Sequence, residues 1–264
     1  MIKATRKGIA GNGIETIKNL THTLASKNYR GSAIFTVEPT NDQRKTLEEI
    51  CPTKALFSTK ENSVMGLDNG KCITCGYCSE AASKTIEIQN KPSNPVKTKS
   101  QMISYSSPQT LFQEKSYEQI GNELKEKIQK MFGRSLAIRQ VDAGSCNGCE
   151  IEIAALNNPI YDIERFGIHF VASPRHADVL LVTGPASRNM EIALLRTYEA
   201  TPGPKIVIAV GACACSGGIF GDTYATTGGI DKVVPVDVYI PGCPPRPEVL
   251  LQGILLAVNR MKSE

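Results

Sequence analysis

The sequence predicts an α/β chain in three parts: a small α+β unit over residues 1–90, a joining segment over residues 91–135, and a parallel-sheet domain over residues 136–264. Three observations lead there. From Leu136 onward, short continuous apolar runs alternate with helical segments, as in a parallel sheet covered on both faces. Before residue 90, the triplet Cys72, Cys75 and Cys78 lies among short β-like runs too small to form a large core. Between the two, residues 91–115 are rich in Ser, Pro, Lys and Gln, a composition suited to a linker with little capacity to pack a core of its own.

The elements follow in chain order. Ile14, Ile17, Leu20 and Leu24 fall at helical spacing and predict a weak amphipathic helix over residues 9–25. Residues 55–58 and 85–89 read as short strands. Ile120, Leu124, Ile128 and Met131 lie on one stripe of a helix over residues 117–131, which docks on its own domain or on a partner. Strands are expected over residues 136–141, 168–172, 179–183, 205–210 and 236–240. Helices are expected over residues 150–157, 188–199 and 247–261.

Composition removes several function classes. With 41% hydrophobic and 21% charged residues over 264 positions, the chain can bury one large or two small cores. No run approaches the roughly 18 to 20 apolar residues of a membrane-spanning helix, so membrane contact is expected through partners. Lys3, Arg6 and Lys7 are followed by no apolar stretch, which predicts a cytoplasmic location. Residues 1–140 carry 21 Lys and Arg against 13 Asp and Glu, so the first half is basic and the second acidic. Without a basic run interleaved with aromatics, nucleic acid is not expected, and an acidic protein partner or a solvated face is. The glycine-rich stretches at residues 8–13 and 217–221 do not match a phosphate loop.

Nine cysteines against three histidines and no tryptophan point to metal or redox chemistry, because reduced cytosolic thiols that occur in groups more often bind metal than form disulfides. The run Cys72-x-x-Cys75-x-x-Cys78 is an iron–sulfur spacing. Two-cluster bacterial ferredoxins carry two such runs, each closed by a Cys-Pro whose thiolate serves the other cluster. Cys51-Pro52 fits the closing position of a first run whose other places, 41, 44 and 47, hold Asn, Arg and Leu. The closing position of the second run, 82, holds Ala. All four positions of one cluster are thus lost and all four of the other are kept. The segment resembles a two-cluster ferredoxin reduced to a single 4Fe-4S cluster on Cys51, Cys72, Cys75 and Cys78, with a zinc knuckle as the structural alternative. Asn28-Tyr29-Arg30-Gly31 resembles the lead-in of ferredoxin subunits in complex I-like enzymes.

A second set of four follows expected strands: Cys146 and Cys149 in Gly-Ser-Cys-Asn-Gly-Cys-Glu, Cys213 in Gly-Ala-Cys-Ala-Cys-Ser-Gly-Gly, and Cys243 in Pro-Gly-Cys-Pro-Pro. Loops after strand carboxyl ends open on the edge where ligands bind in open α/β sheets. Glycines beside the cysteines allow close backbone approach and amide contacts to sulfur. A structural zinc site is the alternative here too.

From these motifs through residues 150–153, 164–168, 173–178, 217–220 and 233–240, the chain resembles the small subunit of membrane-associated group 4 nickel-iron hydrogenases of the formate hydrogenlyase type. That family is related to the cluster-bearing B-type subunit of complex I. The resemblance covers about residues 136–262. It implies a flavodoxin-like sheet, a 4Fe-4S cluster on Cys146, Cys149, Cys213 and Cys243, and hence two such clusters in the chain. It implies electron relay to or from a nickel-iron site on a large subunit, where 2H⁺ + 2e⁻ and H2 interconvert. The implied partners are that large subunit, a ferredoxin-like or formate-oxidising donor, and membrane subunits of a complex I-like arm, with the chain peripheral on the cytoplasmic face of the inner membrane. Complex I B-type subunits carry two adjacent cysteines at the first ligand site. Cys146 and Cys149 are separated by two residues, as in the hydrogenases, and a complex I-like quinone oxidoreductase subunit is the alternative. Small subunits of this group usually lack a ferredoxin-like segment, so a second carrier is fused here. Glu150 is a candidate for proton movement or cluster tuning, or a plain charge at a helix start. Arg175 and His176 are candidates for a partner interface, for adjusting the cluster's field, or a satisfied surface pair. Cys215 is expected to be a small buried thiol.

Overall fold

The computed structural model describes residues 28–59, 64–106 and 116–260, so the helix expected over residues 9–25 lies outside the described residues. The first unit runs β1 (Ser32–Phe35), α1 (Asn41–Ile50), β2 (Leu56–Ser58), β3 (Met65–Asp68), α2 (Tyr77–Ala81) and β4 (Ile86–Gln89). Strands β1 and β4 pair antiparallel, with Ser32 opposite Gln89 and Phe35 opposite Ile86. Helix α1 starts at a reciprocal capping box in which Thr40 and Gln43 satisfy each other's backbone amides. Beneath it a small core collects Ala33, Leu47, Leu56, Met65, Leu67 and Ile86.

The described part of the joining segment, residues 91–106 and 116–135, is more ordered than the segment's composition predicts. Strand β5 (Ile103–Tyr105) completes a three-stranded antiparallel sheet in the order β2-β3-β5. Met102 is buried in the core of the second domain. Val96 forms an antiparallel bridge with Tyr239, donating to and accepting from its backbone at 2.9 and 2.8 Å. Pairing with strands far away in sequence supplies the cohesion that the local composition lacks.

Helix α3 (Tyr117–Phe132) opens on a Ser116–Gln119 capping box and ends at Gly133. It packs on the second domain through Tyr117, Ile120, Leu124 and Ile128. The rings of Tyr161 and Phe166 meet Tyr117 edge-on at 5.3 and 5.7 Å. The stripe read from the sequence is therefore used inside the chain.

The second domain follows as β6 (Leu136–Asp142), α4 (Gly148–Ala155), β7 (Ile168–Phe170), β8 (Val179–Thr183), α5 (Arg188–Ala200), β9 (Ile206–Val210), α6 (Gly211–Ser216), β10 (Val238–Ile240) and α7 (Pro247–Arg260). Its five strands are all parallel, in the order β7-β6-β8-β9-β10. Counted from β6 this is 2-1-3-4-5, the flavodoxin-like order, with its switch point between β6 and β8. Both faces are apolar, which is why the strands read as continuous runs. Val179, Leu181, Ile206 and Ile208 face α3, α4 and α7, whereas Leu180, Val182, Val207 and Ala209 face α5 and α6.

Two aspartates register the sheet at its amino edge. Asp178 accepts two hydrogen bonds from Arg134 at 2.7 and 2.8 Å and one from the Ala137 amide at 2.9 Å. Asp237 accepts from the Val207 amide at 2.8 Å. Replacing Asp178 by Ala orphans the buried Ala137 N–H, and is expected to cost about 1–3 kcal/mol of unfolding free energy in a denaturant titration. The variant Asp178→Asn, which keeps an acceptor, should recover most of that loss.

Candidate metal centres

The loops after β6, β9 and β10 bring Cys146, Cys149, Cys213 and Cys243 to the carboxyl edge of the sheet. Asp142, the last residue of β6, accepts the amides of Gly144 at 2.9 Å and Ser145 at 2.7 Å and so turns the chain. Asn147 then takes a left-handed conformation and α4 begins, carrying Cys149 in its first turn. Cys213 rides on α6, a short helix absent from the sequence expectation. The Ala212 amide donates to the Gly242 carbonyl at 2.8 Å and ties the Cys213 and Cys243 loops together.

The backbone is bare where the sulfurs lie. A Cβ on Gly211, at φ +84°, would sit 2.5 Å from Cys149 Sγ, and one on Gly218, at φ +54°, would sit 2.9 Å from Cys213 Sγ. Burial pushes the Cys213 thiol up to about 11 and raises Cys149 and Cys243 above the ordinary thiol range, and the mutual repulsion of the set adds to each. Three partly desolvated thiols, Cys149, Cys213 and Cys243, with Cys146 beside them, form a donor set whose thiolate forms would need cationic charge among them.

The first unit repeats this arrangement. Cys51 caps the end of α1, and its Sγ accepts the Ala55 amide at 3.2 Å. Cys72 and Cys75 lie in the loop before α2 and Cys78 on α2 itself. Burial pushes Cys72 up to about 12 and Cys78 up to about 11, with repulsion from the other members of the set adding to both. Backbone amides at Thr74 and Ser79 oppose the shift by donating to these sulfurs. Among the described residues, no three Cys, His, Asp or Glu side chains converge as tightly as one metal ion requires. Two all-thiol sets, the first with backbone amides donating to its sulfurs, fit iron–sulfur groups.

Three of the four positions where a second cluster in the first unit would need cysteines, 44, 47 and 82, carry structural side chains instead. Leu47 is fully buried in the core of that unit, against which Ala82 packs. Arg44 pairs with Glu38 at 2.8 Å.

The other candidates separate. Glu150 lies in the first turn of α4. One of its carboxylate oxygens accepts the Thr183 hydroxyl at the end of β8, and the other is buried without a hydrogen-bond partner. Thr183 carries no signal in the sequence; Asp142 does, as an Asp two residues before Gly-Ser. Cys215 is fully buried, and burial raises its thiol. Arg175 and His176 are exposed on a short turn that precedes β8, at the amino edge of the sheet. The five residues of β8 put roughly 16 Å of strand between them and the cysteines. A role in adjusting the cluster's field is therefore corrected: they line an open groove at the far edge with Arg134, His169 and Pro204.

Residues 146–257 match the family described as NADH ubiquinone oxidoreductase, 20 Kd subunit. Formate hydrogenlyase subunit 7 of Escherichia coli is 52% identical over 141 residues, covering 53% of this chain and 55% of that one. A probable membrane-bound hydrogenase subunit of Pyrococcus furiosus is 52% identical over 132 residues, covering 50% of this chain and 79% of that one. The B-type subunit of the NADH-quinone oxidoreductase of Citrifermentans bemidjiense is 51% identical over 116 residues, covering 44% of this chain and 68% of that one. Among solved structures, a chain of the archaeal membrane-bound sulfane sulfur reductase gives a TM-score of 0.44 with 41% identity, covering 49% of this chain and 72% of that one. This chain thus spans about half the length of the Escherichia coli relative and most of the archaeal hydrogenase relative.

Proposed function

Because the chain belongs to the NADH ubiquinone oxidoreductase 20 kDa subunit family, we propose that it is the electron-transfer subunit of an energy-converting nickel-iron hydrogenase complex. The observation that carries this reading is the two-residue separation of Cys146 and Cys149, closed into a set by Cys213 and Cys243 on one sheet edge. The hydrogenase relatives from Escherichia coli and Pyrococcus furiosus, which overlap this chain over 141 and 132 residues, support it. A 4Fe-4S group on each set would supply one-electron carriers.

The protein's own task is placement. Asp142 shapes the Cys146 loop, the bare glycines admit the sulfurs, and burial partly desolvates Cys149. Cys146 and Cys243 remain exposed, and so are Ile151, two residues after Cys149, at 63%, and Ile219 and Phe220, which follow the Gly218 that abuts Cys213, at 51% and 45%. Such an apolar rim around exposed thiols suits a cover provided by the large subunit, where H2 is made or consumed. Glu150, held by Thr183 with one oxygen free, is placed to move a proton toward that cover or to tune the set's potential. The basic first half suits an acidic ferredoxin-like or formate-oxidising donor. No helix among the described residues is long and apolar enough to cross a membrane, so attachment to the cytoplasmic face of the inner membrane would run through complex I-like membrane subunits.

The test is anaerobic purification of the intact complex, followed by metal analysis and a hydrogen-evolution assay. Nickel, iron and H2 output are expected. A complex without nickel or H2 output that reduces quinone would replace this reading with the complex I-like one, which the NADH-quinone oxidoreductase relatives represent. A colourless protein containing zinc would overturn both.

A further inference from the structure

Between the two thiol sets lies a junction that neither set needs for its own ligation. Ser216, the last residue of α6, follows Cys213 by three positions. Its hydroxyl donates to the Gly70 carbonyl at 2.7 Å, closer than the Ala212 carbonyl one turn back at 3.1 Å. A serine ending a helix ordinarily bonds back within that helix; here the shorter contact crosses to the other unit. Gly70 stands two residues before Cys72 in a tight turn. Asp68 accepts the Gly70 amide at 2.9 Å through its side chain and the Cys72 amide at 3.1 Å through its carbonyl. A Cβ on Gly70 would meet Met102 Sδ at 2.6 Å, so the turn has no slack.

A second link repeats the pattern on the other side. Arg246 follows Cys243 by three positions and is clamped by Glu248 at 2.8 and 3.0 Å. Its guanidinium lies 5.0 Å from the centre of the Tyr29 ring. The next residue, Arg30, donates to the Cys75 carbonyl. Two ligand loops of one set are thus joined to two of the other: Cys213 to Cys72 through Ser216 and Gly70, and Cys243 to Cys75 through Arg246, Tyr29 and Arg30.

We propose that this junction fixes the register of the two thiol sets and that Ser216 is a positioning residue for the passage of electrons between them, an inference that rests on the electron-transfer reading above. In each passage one electron leaves the group held by one set and one enters the group held by the other. No bond forms or breaks and no proton moves. A hydrogen bond couples the two sides better than the gap that would replace it, so the hydroxyl, which Ser216→Thr keeps and Ser216→Ala removes, carries the link.

The test uses the intact complex carrying Ser216→Ala or Ser216→Thr. Freeze-quench electron paramagnetic resonance reads the rate of transfer between the sets and the magnetic interaction of the two reduced groups, and metal analysis reads the iron. Ser216→Ala should keep its iron and the separate spectrum of each set, slow the transfer severalfold and weaken the interaction. Ser216→Thr should restore both. An unchanged rate in Ser216→Ala overturns the junction, as does loss of iron, which would make Ser216 a folding residue. Absence of iron from either set in the unaltered complex overturns the electron-transfer reading and the junction with it, whereas an unchanged rate sinks only the junction.

Discussion

Replacing Cys149 by Ser is expected to empty the set on the α/β domain and, under the proposed hydrogenase reading, to abolish hydrogen turnover, while leaving the set on Cys51, Cys72, Cys75 and Cys78 loaded. The reason is the position of the sulfur. Cys149 lies in the first turn of α4, packed against the main core, and burial is the largest influence on its thiol. The cost of desolvating a thiolate there would be offset by the cationic iron of a group held by this set. A serine hydroxyl is far harder to ionise at the same place and would leave the remaining thiols repelling one another around a missing ligand. With a 4Fe-4S group on each set, as proposed, iron should fall from about eight to about four atoms per chain, since each such group carries four irons. The first unit shares no ligand with this set, so its spectrum should persist. Full iron content in the variant would refute the assignment of Cys149 as a ligand.

Gly211→Ala should have nearly the same effect with no ligand altered. At φ +84° an alanine is strained by about 1–3 kcal/mol, and its methyl carbon would sit 2.5 Å from Cys149 Sγ. That contact is with the donor atom itself, so relief requires the sulfur or the loop to move, and either spoils the set. Gly133→Ala provides the control. It has φ +63° at the end of α3 but nothing within 4 Å of the added carbon, so it should cost stability and no iron. Iron analysis and thermal unfolding of the two variants side by side separate crowding of the site from backbone strain. Equal iron content in both would show that Gly211 merely turns the chain.

The parts of the fold legible in the sequence are those in which burial imposes a pattern. Strands β8 and β9 are apolar on both faces and are found within one residue of their expected limits, and the stripe of α3 is packed where its spacing puts it. What escapes notice lacks such a pattern. Helix α1 buries only Leu47, so its ten residues show no stripe, and its clearest mark is the Thr40–Gln43 cap. Helix α6 follows β9 without a break, and its Gly-Ala-Cys-Ala-Cys-Ser stretch reads equally well as a loop. Strand β5 depends on a partner nearly forty residues earlier in the chain. The Cys72-Cys75-Cys78 and Cys146-Cys149 groups stand out because their spacing is local, whereas Cys51, Cys213 and Cys243 join them only through the ferredoxin register and the strand ends. The contact of Ser216 is not legible, because its partner Gly70 lies 146 residues away and the Cys213 motif in which Ser216 stands gives no sign of it.

Leu47 adds a final consequence. The place where a two-cluster ferredoxin would need a ligand holds a keystone: this side chain supports the helix above the first unit's thiol set. Introducing cysteines at positions 41, 44, 47 and 82 would therefore not build a two-cluster carrier, because Leu47→Cys removes the packing that braces α1 and, with it, the seat of Cys51 at the helix end. A conducting element and a piece of masonry compete for the same position, and the stability that the masonry supplies closes the route to the conductor.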